Sequence, residues 1–217
     1  MFLNNLAPCA ILAVASGGLF AQAAPPEAKC AKDSCVTVTS VEEYRRTLIG
    51  QIWGESGFPK QKARVSTVDR SQPNWKSVTE EMGIVCPRDF QKLERLEFKS
   101  AHAENAGYEN QNIGYHFIAN GAPKNLVIVH QGHSCKFDAG SGLSGLVRVL
   151  LQKGYSVAAL YMPHRLDCSE MTSFHHDLFK VFKDSKKDGS ALQFFIDPAA
   201  QTVKYFENKY STISMIG

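Results

Sequence analysis

The residues Asn125-Leu126-Val127-Ile128-Val129 form a continuous apolar run, the composition of a strand buried on both faces of a parallel sheet. After it, Leu143, Leu146, Val147, Leu150 and Leu151 recur at helical spacing, and Lys153 and Gly154 supply the stop. A second apolar strand is predicted over 155–162. A second helix is predicted with Asp197 as N-cap and Pro198 in its first turn, and with Ala199, Val203 and Phe206 as its stripe. Leu192, Phe195 and Ile196 then belong to a preceding turn or a kinked extension, and residues 212–216 read as a third strand. Strand, helix, strand, helix, strand implies two crossovers and a parallel arrangement. Upstream, residues 93–99 and 113–119 are strand-like on either side of the polar stretch 104–112, so an antiparallel pair precedes the parallel strands. The expected class is α/β.

The first 92 residues read differently. Residues 6–20 carry no charge and are mostly small or apolar, followed by Ala21-Gln22-Ala23 and a polar stretch from Ala24. That is the pattern of a secretory signal with an Ala-x-Ala cleavage site, and it predicts a secreted or periplasmic protein. Gly17, Gly18 and the lack of polar periodicity argue against a buried N-terminal helix. Residues 24–92 are read as a tether and a helical or irregular extension. Within it, Ser40 and Glu43 form a capping box, and Val41, Tyr44, Leu48 and Ile52 mark a short amphipathic helix ending near Gly54. Residues 55–90 are rich in turn formers, with Trp53 and Trp75 as anchors.

Export gives the cysteines meaning. Removal of Cys9 with the signal leaves Cys30, Cys35, Cys86, Cys135 and Cys168, an odd number. In an oxidising compartment Cys30 could pair with Cys35, and Cys135 with Cys168. No C-x-x-C pair exists to support a zinc ribbon or a thioredoxin-type centre. With 24 basic and 21 acidic residues scattered along the chain, a net charge of +3 carries no nucleic-acid signature. Nothing after residue 24 has the roughly 20 apolar residues of a membrane span, so no stable membrane anchor is expected.

Ligands of open α/β sheets bind beyond the carboxyl ends of the strands. The first such loop is His130-Gln131-Gly132-His133-Ser134, where Gly132 allows a sharp turn that presents amides, as an oxyanion hole requires. Over roughly residues 93–217 the chain resembles the α/β-hydrolase superfamily. The resemblance consists of the antiparallel pair, the strand into His130-Gln131-Gly132-His133, the strand ending Tyr161-Met162-Pro163, and the approach Ile213-Ser214-Met215-Ile216-Gly217. It implies that Gln131, Gly132 and His133 form the oxyanion loop. It implies also that Gly217 opens the nucleophile elbow G-x-S-x-G, with serine, acid and histidine further on. The domain at 93–217 is then an incomplete α/β-hydrolase sheet, and no triad-dependent turnover is expected of these 217 residues alone.

Three readings follow. The first is the N-terminal part of a secreted serine hydrolase acting on a small or polymeric ester, with no cofactor. His130, His164, Arg165, His175 and His176 would line its substrate site, Arg165 meeting an anionic group. The second is a non-catalytic secreted α/β domain that binds a partner through the loop at 163–188. The third is a zinc hydrolase using the loop histidines, which lack the H-E-x-x-H spacing that would fix ligands on one helix face. Ser144, in G-L-S-G-L, is placed inside a helix rather than at an elbow.

Overall fold

A computed structural model describes residues 41–84, 88–99, 112–131, 137, 139–161 and 189–217. Within them six strands form one mixed sheet: β1 (Arg64–Thr67), β2 (Phe90–Glu97), β3 (Ile113–Ala119), β4 (Asn125–His130), β5 (Ser156–Leu160) and β6 (Thr212–Ile216). Their spatial order is β1-β2-β3-β5-β4-β6. β2 is antiparallel to both β1 and β3, β3 is antiparallel to β5, and β4 runs parallel to both β5 and β6. The helices are α1 (Val41–Trp53), α2 (Pro73–Glu81), α3 (Gly142–Gln152) and α4 (Leu192–Phe206).

The apolar runs earn their place at the centre. All five residues of β5 are buried, and side chains alternate between two cores. On one face Val127, Val129, Val157 and Ala159 meet Val147 and Leu151 of α3. On the other, Leu126, Ile128, Ala158 and Leu160 meet Ala199 and Phe206 of α4. Burying one such Leu, Ile, Val or Phe side chain contributes about 1.5–3 kcal/mol, so each helix is held by the strands beneath it rather than by propensity. α3 starts where Ser141 Oγ accepts the Ser144 amide at 3.2 Å, and Gly154 at φ +82° turns the chain out of it. Ser144 is buried inside this helix, as expected, rather than at a strand-to-helix elbow.

Several elements depart from expectation. α4 starts at Leu192, so Pro198 lies in its interior and Asp197 is a buried helical residue rather than its N-cap. The proline withholds one amide from the carbonyl four residues back, and packing of α4 on the sheet outweighs that cost. In α1 the expected apolar stripe is buried only near its end: Tyr44 is exposed, Leu48 and Ile52 are half-buried, and Trp53 is buried. The region 55–90, read only as rich in turn formers within a helical or irregular extension, contains β1 and α2. Trp75 and Val78 of α2 pack over Phe90 and Leu93 in the core, with Arg70 stacked 5.8 Å from the Trp75 ring. All six cysteines, and residues 1–40 as a whole, lie outside the described residues. Among those described, no helix is long and apolar enough to cross a membrane.

One joint in the sheet is unusually close. A Cβ on Gly114 would lie 2.8 Å from Leu160 Cδ2 and 2.9 Å from the Ala159 carbonyl oxygen. The leucine tip can move, but the strand backbone cannot. Gly114→Ala is therefore expected to cost about 1–3 kcal/mol through overpacking, read as a shifted urea midpoint with unchanged slope. An unchanged midpoint would show that β3 and β5 can part without penalty.

Candidate functional site

The direction of the crossovers decides where a ligand could sit. From β4 the chain passes through α3 to β5 on one side of β4; from β5 it passes through α4 to β6 on the other side. Reversing direction puts α3 and α4 on opposite faces. The neighbouring carboxyl ends of β4 and β5 therefore send their chains apart, which makes a topological switch point. His130 ends β4 and Gln131 follows it there, and Tyr161 follows β5.

Gln131 is 3% exposed, and its amide donates to the Leu160 carbonyl at 3.1 Å, extending the parallel ladder by one bond. Tyr161 is fully buried, with its ring edge-on to Phe137 at 5.1 Å and to Tyr115 at 5.9 Å. His130 faces the α4 side. Burial holds its imidazole below the ordinary range, against a hydrogen bond with the backbone of Phe195 that pulls the other way. Its Nε2 is inaccessible and, among the described residues, has no hydrogen-bond partner. Gly217 follows β6 onto the same edge, where an added Cβ would lie 3.3 Å from both Cβ and the carbonyl oxygen of His130. The structure thus brings His130, Gln131 and Gly217 together. Gly132, His133, His164, Arg165, His175 and His176 lie outside the described residues.

Comparison with protein-family models, with curated proteins and with solved structures finds no match.

A second polar cluster was not anticipated from the sequence. His116, 1% exposed on β3, stands opposite Glu94 of β2 and bonds it through Nδ1 at 2.9 Å. Its Nε2 is 2.8 Å from the Tyr210 hydroxyl, and its ring stacks 4.4 Å from Phe206. Lys92 reaches the other Glu94 oxygen at 2.8 Å. The His116 hydrogen bond is the main cause that holds the Glu94 carboxyl down to about 2, opposed by burial. Burial is the main cause that lowers His116, opposed by Glu94. These directions agree on one state at neutral pH: an ionised Glu94 accepting from the Nδ1–H of a neutral His116, whose Nε2 accepts from the Tyr210 hydroxyl. Burial raises the Tyr210 phenol, opposed by a hydrogen bond with Ser156. The carboxylate–imidazole–hydroxyl order resembles a catalytic relay, but the hydroxyl is made less acidic, and the histidine is sealed beneath Phe206. The cluster is suited to holding α4 and its C-terminal turn against the sheet.

Proposed function

We propose that this chain forms the N-terminal part of a secreted serine hydrolase of carboxylic esters, with its site at the carboxyl ends of β4, β5 and β6. One observation carries the reading: three parallel strands bring the His130-Gln131 corner beside Gly217, where the close contact with His130 favours the smallest residue. An elbow opening at Gly217 would then present its nucleophile across from the loop after β4. Because the Gln131 amide is committed to Leu160, the oxyanion donor in that loop falls to Gly132 or His133.

A serine-directed fluorophosphonate tests this. The product of the intact reading frame is expected to be labelled at a serine two residues beyond Gly217, and the 217-residue chain to stay unlabelled. Labelling of the 217-residue chain, or a reading frame with no serine at that place, would overturn the proposal. A stable product unlabelled in both forms would instead favour a secreted domain that binds without turnover.

A further inference from the structure

We propose a second site: a basic cleft at the β1–β2 end of the same sheet edge that binds a small organic anion carrying two or more negative charges. It stands independently of the hydrolase reading. Arg64 of β1 pairs in register with Glu97 of β2, and Glu97 pairs with Ile113 of β3. Arg95, two residues before Glu97, shares its face. These four residues, closed by Gln61 and Lys62 on one side and Phe98 and Lys99 on the other, line a cleft of about 540 Å³. That is a volume suited to a small ligand.

Its charge is the first argument: the described residues lining the cleft include Lys62, Arg64, Arg95 and Lys99 and one carboxylate, Glu97, a formal net charge equal to the +3 of the whole chain. The other 209 residues carry equal numbers of basic and acidic side chains. Among the described residues no carboxylate pairs with Lys62 or Arg64. Glu97 sits 3.3 Å from Arg95 Nε without forming a hydrogen bond, and among the described residues that buried nitrogen has no hydrogen-bond partner. Arginine forks match planar carboxylates and tetrahedral phosphates alike.

Preorganisation is the second argument. Gln201 of α4, 1% exposed, reaches under the sheet to both walls. Its Nε2 donates to the Lys99 carbonyl at 2.7 Å and its Oε1 accepts the Lys99 amide at 3.4 Å, while its own carbonyl accepts the Ala63 amide at 3.4 Å. One buried glutamine therefore fixes the backbone beside Lys62 and Arg64 and beside Phe98 and Lys99. Surface cations in passing contact with solvent do not need such a clamp.

Titration calorimetry of the 217-residue chain with inorganic pyrophosphate and, separately, with citrate tests the site. One-to-one binding of either is expected; preference for pyrophosphate assigns a phosphorylated ligand, and preference for citrate a polycarboxylate. Affinity should fall at least about tenfold in Arg64→Ala/Arg95→Ala, fall less in the exposed Lys62→Gln, and rise in Glu97→Gln. Lys124→Ala, an exposed cation at the opposite edge of the sheet, should change nothing. If the double arginine variant loses its fold by circular dichroism, Lys62→Gln and Glu97→Gln carry the test. Binding of neither anion, equal loss in Lys124→Ala, or no response to the cleft substitutions would overturn the proposal.

Discussion

His116→Ala is expected to lower the stability of the chain by about 3–5 kcal/mol, because it leaves the ionised Glu94 without its neutral donor and opens a cavity against Phe206. Its signature is the pH profile. The folded His116 titrates below its ordinary 6.5, so the unfolded chain binds that proton first. Stability of the unaltered chain therefore falls as pH drops below about 6.5. Glu94, held to about 2 against an ordinary 4.5, contributes stability present above 4.5 and lost as pH falls from there toward 2. Lys92 and Lys209, the cations nearest His116, both oppose its protonation and so deepen the first loss. Urea midpoints measured between neutral pH and pH of about 5 should decline in the unaltered chain and decline less in His116→Ala, where the lowered His130 still contributes. An identical decline in both would place the titrating group elsewhere.

Gly189→Ala should come close in size, for a steric reason. Gly189 adopts φ +76°, and an added Cβ would press on the carbonyl of Ile52 and come within 2.7 Å of the Gly54 nitrogen. Both obstacles are backbone. They belong to the joint by which α1 docks: the Ser190 amide donates to Ile52 at 2.9 Å, and the Trp53 indole N–H donates to the Asp197 carboxylate at 2.6 Å. The left-handed conformation adds about 1–2 kcal/mol to an overpacking cost of about 1–3 kcal/mol, so a loss of about 2–5 kcal/mol is expected. Gly121→Ala is the control. Gly121 has φ +82° with open space around it, so only the conformational cost applies. Trp53 fluorescence should shift toward solvent exposure in Gly189→Ala alone. Equal costs for the two substitutions would remove the Ile52–Gly54 contact from the explanation.

The parts of this fold that were legible in the sequence are those buried on two sides. β4 and β5 are apolar at every fully buried position except Ser156 because both faces are covered, and α3 shows its stripe because one face is. β1, with Arg64, Ser66 and Thr67 exposed, has no alternation to read, and the Trp75–Val78 spacing of α2 is brief among turn-forming neighbours. Asp197 followed by Pro198 is the grammar of a helix start. It was misread because the aspartate answers to Trp53, 144 residues away, rather than to its own helix. The corner formed by His130, Gln131 and Gly217 followed from element order alone. The Glu94–His116–Tyr210 cluster did not, since it depends on the β2–β3 register and on a tyrosine 94 residues beyond the histidine.

The order of strands in space differs from their order of synthesis, and this shapes how the molecule comes into being. β3 and β4 are joined by only the few residues 120–124, yet β5 lies between them. A nascent chain that has not yet delivered residues 156–160 must keep two adjacent, strongly apolar strands from closing into a local hairpin, with a slot one strand wide left open. During that interval both slot edges offer unpaired backbone to any passing polypeptide. A chaperone that recognises extended apolar segments would have its binding window there, and it would close when β5 arrives.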